Sequence, residues 1–539
     1  MPRFRFFILI IAVLGAYGAL FLNLYQLQIE KGEHYAAKAK IQNPLAALFE
    51  NHRGNIFIQD RDKSVPAALN KQAPVIYAVP KEIEDLDTAV ENMAPILNAE
   101  PEELRKIFTS GASYKILNRE PTEGQIKKTK EANIRGVAVN DQDKRHYPLN
   151  NLAAHIVGFV APGEDKIIGR YGIENYYDDL LVTGQNINLT IDRSLQAEAE
   201  RVLKELIQKH SASGGTIIIQ EPKTGKILAL VNTPDFNLNN YSSAKIEHFS
   251  NPAIQAIYEP GSIFKVITMA AGIDSGAFTP DTTFYDTGQI TFKDGKIIRN
   301  WDKKANGTVS MTNVIERSIN TGAAFAEKKI GHKKFYSYLV KFGFNEPTGI
   351  TLPGEINGNI KNLERVVAEI DFASASFGQS VAVTPLQVIN AISAIANDGK
   401  LMRPLIIEGD PAQEIRQVVS PEAAKKVTAM MISAVRKAAL AQVPKYTVAG
   451  KTGTAQIPDL KHGGYTEDVI NGYVGFVPAT DPRFTILLKL DRPAGAPLSG
   501  QTVVPAFRQL AQFVLNYYNI PPDDLTPAQT PTDTGSLNY

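Results

Sequence analysis

The stretch Tyr258-Glu259-Pro260-Gly261-Ser262-Ile263-Phe264-Lys265 decides how the rest of this sequence is interpreted. Pro260 and Gly261 break the preceding chain, and the apolar run at 266–271 predicts a helix that begins near Ser262. Lys265 follows three residues later, so the serine and lysine side chains face the same side of that helix and can meet. A lysine beside a serine can act as the base that makes the hydroxyl a nucleophile. Alone, this S-x-x-K spacing is weak, because any serine and lysine three residues apart on an exposed helix match it.

Two further short motifs follow in the same half of the chain. In Ser318-Ile319-Asn320 a hydroxyl and an amide flank one apolar residue, and together they can pass a proton and hold a peptide carbonyl. Lys451-Thr452-Gly453-Thr454 follows β-branched residues that predict a strand, in which a glycine often marks a close approach by a ligand or another backbone. Its lysine and threonine hydroxyls suit a carboxylate. The end of a phosphate-binding loop looks similar, but Lys445 stands where that loop requires glycine.

The segments around these motifs predict a sheet built from distant parts of the chain. Apolar β-rich runs at 216–219 and 226–231 flank a Pro/Gly turn, and a second such pair lies at 472–477 and 484–490. A strand pattern at 186–191 precedes a helix pattern from Ser194 to His210, with Asp192 as its cap. Between the two hairpins the pattern is mainly helical, as at 384–396 and 421–440. These elements predict one mixed sheet packed against helices.

The three motifs occur in the order found in serine penicillin-binding proteins and β-lactamases. The sequence resembles class B penicillin-binding proteins, especially the FtsI-like division transpeptidases and their sporulation relatives. Neighbouring segments strengthen the resemblance, which covers the second half almost end to end: Glu259-Pro260-Gly261-Ser262, Leu352-Pro353-Gly354-Glu355, Phe377-Gly378-Gln379, Thr384-Pro385-Leu386-Gln387, Asn397-Asp398-Gly399 and Lys451-Thr452-Gly453-Thr454-Ala455-Gln456. It reaches the first half through 53–56 and 153–159, which look like that family's pedestal motifs.

The resemblance implies an α+β architecture with an N-terminal transmembrane helix, an elongated α+β pedestal domain and a C-terminal transpeptidase domain of the penicillin-binding/β-lactamase-like type. We expect the following boundaries: a cytoplasmic stub at 1–5, the anchor at 6–26, the pedestal or dimerisation domain at 27–184, the transpeptidase domain at 185–518 and a disordered tail at 519–539. The tail is expected from its Pro-, Thr-, Asp- and Ser-rich composition.

The resemblance also implies the chemistry: a peptidoglycan D,D-transpeptidase that cross-links stem peptides in wall synthesis, septal synthesis above all, through a Ser262 acyl-enzyme. Lys265 would be the general base, and Ser318, assisted by Lys451, would relay a proton to the leaving nitrogen. The expected substrate-binding residues are Asn320, which holds the donor peptide, with Thr452, Gly453 and Thr454 at its terminal carboxylate. The backbone N–H groups of Ser262 and Thr454 would form the oxyanion hole. β-Lactams would be covalent inhibitors, and no metal or organic cofactor is implied.

The N-terminus and the composition indicate where this chemistry takes place. Residues 6–24 carry no charge and are long enough to cross a bilayer, while Arg3 and Arg5 favour a cytoplasmic N-terminus. We therefore expect a single-pass protein of the cytoplasmic membrane with its catalytic domain outside the cytoplasm. A cleaved signal peptide is the alternative, since Ala16 and Gly18 could form a cleavage site. The family resemblance adds a polytopic SEDS-type glycosyltransferase as a partner.

The composition and the motifs narrow the remaining choices. The formal net charge of +1 gives no reason to expect a nucleic-acid partner, and the absence of cysteine excludes disulfides and thiolate chemistry. A D,D-carboxypeptidase, a β-lactamase and a β-lactam sensor share the three motifs, and an inactive wall-synthesis scaffold is a further alternative. The sequence leaves open whether the protein serves division, elongation or sporulation.

Overall fold

The structure, a computed structural model, describes residues 53–163, 167–365, 368–459, 461–495 and 498–524, together with positions 15, 17, 18, 21 and 25. These residues form two units. The described part of the first comprises 53–54, 70–146 and 182–185, apart from the isolated N-terminal positions, and the second comprises 55–69, 147–181 and 186–524. The second unit thus includes two stretches that the sequence assigns to the pedestal.

The predicted anchor at 6–26 lies almost wholly outside the described residues. Among the residues that are described, no helix combines the length and the apolar character needed to cross a membrane.

The first unit is a small α+β body. Its helices are Leu86–Leu97, Pro101–Phe108 and Glu123–Ala132, with a 3-10 turn at Pro80–Glu82. Strands Lys115–Asn118 and Val137–His146 both pair with the long strand Lys63–Ala78, which enters this unit at residue 70. Side chains such as Ile76, Met93 and Phe108 form the core.

The second unit contains all three sequence motifs and consists of many short helices and strands. Its helices are Ala154–Val157, Gly172–Tyr176, Asp178–Leu181, Arg193–His210, Pro252–Gln255, Lys265–Asp274, Met311–Glu316, Asn320–Ile330, His332–Lys341, Glu369–Ala375, Pro385–Ala396, Pro421–Ala438 and Val503–Tyr517. Short 3-10 helices lie at Leu238–Ser243, Ile246–Phe249, Gly261–Phe264 and Lys361–Leu363. Its strands outside the central sheet are Ile56–Asp60, Phe159–Pro162, Ile167–Arg170, Ile187–Asp192, Thr283–Asp286, Gln289–Thr291, Ile297–Arg299, Gly307–Ser310, Lys400–Met402 and Glu414–Gln417.

Five strands form the central sheet of this unit, in the order Ala449–Pro458, Tyr465–Val477, Phe484–Asp491, Gly214–Gln220 and Ile227–Thr233. Both predicted hairpins are present, and the two are joined where Leu487 lies opposite Ile218. All four pairings are antiparallel, whereas the sequence suggested mixed strand directions. The reason is that the two hairpins are joined through strands Phe484–Asp491 and Gly214–Gln220, which also pair in antiparallel direction.

Both faces of the central sheet are covered by helices. Ile217 and Ile219 pack with helices Arg193–His210 and Val503–Tyr517, while Ile218 belongs to the core on the opposite face. A strand buried on both faces needs apolar residues at successive positions, which explains the uninterrupted isoleucine run.

Capping fixes the helix ends that the sequence predicted. The Asp192 carboxylate accepts hydrogen bonds from the N–H groups of Ser194 and Leu195, so the helix begins at Arg193. Helices Pro385–Ala396 and Pro421–Ala438 likewise begin at capped positions, Thr384 and Ser420.

The start of the predicted tail is packed against the second unit. Asp523 accepts hydrogen bonds from the Thr447 N–H at 2.7 Å and from the Thr480 hydroxyl at 2.6 Å. Residues 525–539 lie outside the described residues.

Candidate active site

Ser262 lies in a tight 3-10 turn, Gly261–Phe264, directly before helix Lys265–Asp274. Gly261 has a φ of +59°, which glycine adopts without strain, and its N–H donates to the Gly378 carbonyl at 3.1 Å. A Cβ on Gly378 would lie 2.1 Å from the Gly261 oxygen. The two glycines therefore allow the backbone approach that holds the turn.

The edge strand Ala449–Pro458 lies against this turn. A Cβ on Gly453 would be 2.7 Å from the Pro260 carbonyl oxygen, so only glycine lets the strand come this close. The glycine of the third motif thus allows the close backbone approach that the sequence predicted, and it brings the Thr454 backbone beside Gly261.

The Lys265 amine is the centre of the site. Its Nζ lies 3.0 Å from Ser262 Oγ, 2.6 Å from the Ser318 carbonyl oxygen, 2.8 Å from Asn320 Oδ1 and 3.2 Å from Ser318 Oγ. The side chain is 0% exposed. Burial, and secondarily the nearby Lys451 cation, hold the pKa of Lys265 well below its ordinary value.

The two shortest contacts of the Lys265 amine determine where its hydrogens and its lone pair point. The Ser318 carbonyl and the Asn320 side-chain oxygen can only accept hydrogen bonds, so they take the two N–H bonds of a neutral amine. The remaining lone pair is then free to accept the proton of Ser262. A neutral Lys265 is therefore positioned as a base toward the serine hydroxyl.

Ser318 lies between helices Met311–Glu316 and Asn320–Ile330, with a φ of +57° that is uncommon for a residue with a side chain. This conformation turns both its carbonyl and its hydroxyl toward the lysines. Its Oγ is 3.2 Å from Lys265 Nζ and 3.0 Å from Lys451 Nζ. Ser318 thus bridges the two amines.

Lys451 is 4% exposed, and burial lowers its pKa to about 7. Besides Ser318 it contacts the Thr452 carbonyl at 3.1 Å and the Thr452 hydroxyl at 3.2 Å. The contacts are all with neutral groups, so the amine can exchange a proton near neutral pH.

One residue at this edge carries no sequence motif. Ser499 is 1% exposed, its hydroxyl lies 2.8 Å from the Thr454 hydroxyl, and it donates to the Gly453 carbonyl. It is brought to the motif by the loop before helix Val503–Tyr517. No local pattern in the sequence distinguishes it from any other serine.

The structure brings five of the eight predicted site residues into one cluster: Ser262, Lys265, Ser318, Asn320 and Lys451. The other three lie on the adjoining edge strand, where Thr452 contacts Lys451, Gly453 packs against Pro260 and Thr454 contacts Ser499. A hydroxyl beside a buried amine, with a second hydroxyl and a second amine next to it, is an arrangement that can support nucleophilic acyl transfer. Within the described ranges no group of three or more His, Asp or Glu side chains could hold a metal ion.

Comparisons with known proteins bear on both units. Residues 215–512 match the penicillin binding protein transpeptidase domain, and residues 50–219 match the penicillin-binding protein dimerisation domain. Stage V sporulation protein D of Bacillus subtilis is 31% identical over 529 residues, covering 89% of this chain and 80% of the relative. A probable peptidoglycan D,D-transpeptidase, PbpC of Pseudomonas aeruginosa, is 30% identical over 430 residues, covering 74% and 75% of the two chains.

Solved structures show the same fold. Penicillin binding protein 2X from Streptococcus thermophilus has a TM-score of 0.71 at 23% identity, covering 87% of this chain and 80% of its own. A peptidoglycan synthetase from Bifidobacterium adolescentis has a TM-score of 0.70 at 22% identity, covering 89% and 98% of the two chains.

Proposed function

This chain belongs to the penicillin-binding protein transpeptidase family, and on that premise we propose that it cross-links peptidoglycan as a serine D,D-transpeptidase with Ser262 as its nucleophile. The family resemblance drawn from the three motifs is confirmed, as is the class of enzyme, a serine acyltransferase. One observation supports the nucleophile above all others: the buried Lys265 amine lies 3.0 Å from Ser262 Oγ.

Acylation begins with the donor stem peptide, which ends in D-Ala-D-Ala. Ser262 Oγ attacks the carbonyl carbon between the two D-alanines while its proton passes to neutral Lys265. The oxyanion that forms is stabilised by the backbone N–H groups of Ser262 and Thr454. The low pKa of Lys265 is what makes the amine available as a base near neutral pH.

Collapse of this intermediate breaks the C–N bond and releases D-alanine. The leaving nitrogen needs a proton, and Ser318 supplies it from its hydroxyl while it is reprotonated by an adjacent lysine. Ser318 Oγ contacts both amines, so the proton that Lys265 took from Ser262 has a direct route to the leaving group. The site is left as an ester between Ser262 and the stem peptide.

Deacylation runs the same steps with an amine as the incoming group. The acceptor amine of a neighbouring strand loses a proton to the lysine–serine relay and attacks the ester carbonyl, forming the new peptide bond and restoring the Ser262 hydroxyl. Thr452 and Thr454 hold the terminal carboxylate of the donor in the first step, and Asn320 holds its peptide.

The nucleophile can be tested by labelling with a fluorescent penicillin and measuring the intact mass. The wild-type protein should gain one penicillin, Ser262→Ala should gain none, and Ser337→Ala, on an exposed helix face, should label like the wild type. Labelling retained in Ser262→Ala would remove Ser262 from its proposed role.

The acyl acceptor is tested separately. With a D-Ala-D-Ala thioester analogue and an added D-amino acid, we expect a transfer product whose share rises with the amine concentration. Hydrolysis alone at every amine concentration would identify the enzyme as a D,D-carboxypeptidase.

We further propose that residues 6–26 anchor the protein in the cytoplasmic membrane, with the transpeptidase domain outside the cytoplasm and a SEDS-type glycosyltransferase as a membrane partner. The support is the uncharged run at 6–24 after Arg3 and Arg5. External protease should digest the catalytic domain in spheroplasts while the protein sediments with membranes. Protection of that domain would exclude this topology.

A further inference from the structure

A buried carboxylate lies outside all three motifs, at Asp286, the last residue of strand Thr283–Asp286. The residue is 1% exposed, yet it is not among the groups that the acyl-transfer chemistry uses. Its carboxylate accepts five hydrogen bonds, from the Gly288 N–H at 2.8 Å, Thr321 Oγ1 at 2.6 Å, Asn300 Nδ2 at 2.8 Å, the Asn306 N–H at 3.0 Å and Asn306 Nδ2 at 2.7 Å.

These bonds join the segment 283–310 to the helix that carries the second motif. Thr321 is the second residue of helix Asn320–Ile330, and it bonds not only to Asp286 but also to Asn300 Oδ1, through its N–H at 3.2 Å and its hydroxyl at 3.1 Å. Asp286 therefore fixes Asn300 and Thr321 against each other, and each of these has a sequence neighbour in the hydrogen-bond chain to Lys265.

Those neighbours are Arg299 and Asn320, and they meet directly. The Arg299 carbonyl accepts a hydrogen bond from Asn320 Nδ2 at 2.9 Å, while Asn320 Oδ1 faces Lys265 Nζ at 2.8 Å. The carbonyl thus occupies the donor end of the amide and leaves the acceptor end for the lysine. A rotated amide would place two N–H donors against the amine and block its use of that contact.

The carboxylate is held in its ionised form. Burial alone would raise the pKa of Asp286, but the hydrogen bonds from Thr321, Asn306, Gly288 and Asn300 outweigh burial, and its pKa is lowered. An ionised carboxylate can only accept, which matches five donors and no competing acceptor.

We infer that Asp286 is a positioning residue of the active site, because its carboxylate holds Asn300 and Thr321, and through them the neighbouring Arg299 carbonyl and Asn320, in an arrangement that turns Asn320 Oδ1 toward Lys265. The inference rests on the proposed role of Lys265 as the base. The residue acts through Asn300, Thr321 and Asn320 and does not touch the reacting atoms.

Asp286→Asn tests this directly, because the new amide turns N–H donors toward groups that are themselves donors. We expect the second-order rate of acylation by a fluorescent penicillin to fall about tenfold to a hundredfold, as for a catalytic contact displaced by about 1 Å. Asp294→Asn is the matched control: it lies in the same segment, in an exposed turn where Asp294 pairs with Lys296.

The pH profile separates positioning from mere loss of folded protein. Lys265 Nζ faces the Ser262 and Ser318 hydroxyls, the Asn320 amide and Lys451, of which Lys451 is the other titratable group. An acceptor that leaves the amine destabilises its ammonium form, so the acid limb of the acylation profile should move to lower pH while the plateau falls. A larger unfolded fraction would lower the plateau without moving the limb.

Thr321→Val provides a second variant that keeps the Asp286 charge and four of its five bonds, and it decides the question if Asp286→Asn does not fold. It should lower the plateau less and move the acid limb in the same direction. Trp301, the single tryptophan of the chain and 47% exposed, follows Asn300 and reports on this segment, so acrylamide should quench it more strongly in both variants.

The reference points are wild-type protein that acylates and Ser262→Ala that does not, which establish the proposed function independently of Asp286. With those in place, a wild-type rate and an unmoved acid limb in either folded variant would overturn the inference. A fall in plateau accounted for by the unfolded fraction, measured by circular dichroism, would overturn it as well.

Discussion

Replacing Lys451 with methionine should move the acid limb of acylation to higher pH. Lys265 Nζ and Lys451 Nζ lie 3.2 and 3.0 Å from the same atom, Ser318 Oγ, so the two amines are at most about 6 Å apart. Two unit charges at about 6 Å in an effective dielectric of about 20 repel by about 3 kcal/mol, or about two pKa units. The Lys451 cation therefore contributes, after burial, to keeping Lys265 neutral.

The polar contacts of Lys451 with Ser318 and Thr452 screen its charge, so we expect the limb to rise by about one to two pH units. The plateau should also fall, because the Ser318 hydroxyl loses its contact with the second amine.

The assay is the second-order rate of acylation by a fluorescent penicillin, measured by stopped flow from pH 5.5 to 9.5. Lys425→Met removes one positive charge from the exposed side of helix Pro421–Ala438 and serves as the control, with an unchanged profile. If the acid limb of Lys451→Met stays in place or moves to lower pH, the Lys451 charge does not suppress protonation of Lys265.

Three further outcomes are expected. Because the pKa of Lys451 is about 7 when folded and near 10.4 when unfolded, the unfolded state binds more protons between these values, and wild-type stability rises with pH across that window. In urea unfolding, Lys451→Met should lose this slope of about 1.4 kcal/mol per pH unit, so within the window its free energy of unfolding exceeds that of the wild type most at pH 7. Equal pH slopes in the two proteins would contradict the low pKa of Lys451. Gly378→Ala should lower the free energy of unfolding by more than about 3 kcal/mol and abolish acylation. Gly409→Ala, with a similar φ of +93° but open space around it, should lose only the free energy of the backbone strain. Equal losses in the two variants would show that the collision of a Cβ at 378 with the Gly261 oxygen is unimportant. Ser499→Ala should raise the penicillin concentration for half-maximal acylation about tenfold without changing the limiting rate, since Thr454 loses a hydroxyl partner; a change in the limiting rate alone would contradict this.

The sequence predicts best those parts of the fold that local patterns determine. The helix predicted from Ser194 begins one residue earlier, at Arg193, directly after its predicted cap Asp192, and the hairpins were predicted because apolar runs flank a Pro/Gly turn. Strand direction across the sheet was not, because the pairing of Leu487 with Ile218 joins segments that no local pattern relates.

In the active site, too, the sequence predicts contacts between residues close in sequence and misses those between distant segments. Ser262 and Lys265 are three residues apart, so their contact is local and the motif contains it. Ser499 and Asp286 come from segments distant in sequence: Ser499 contacts Thr454 of the third motif, and Asp286 contacts Thr321, which follows Asn320. Neither residue lies in a spacing or composition typical of a chemical motif.

The position of strand Phe484–Asp491 in the middle of the central sheet has a consequence for biosynthesis. The strand pairs with Gly214–Gln220 on one side and with Tyr465–Val477 on the other, so both neighbouring strands lack a pairing partner until it has been synthesised. A polypeptide that stops before residue 484 contains every motif residue yet leaves two apolar strand edges unpaired, which favours aggregation over folding.

The active site therefore forms late, after strand Phe484–Asp491 has been synthesised. The edge strand that brings Lys451 to Ser318 pairs with Tyr465–Val477, and that strand in turn pairs with Phe484–Asp491. Reaction with penicillin therefore requires more than an intact Ser262, because the chain must also have been synthesised past Phe484–Asp491 and must have formed its central sheet.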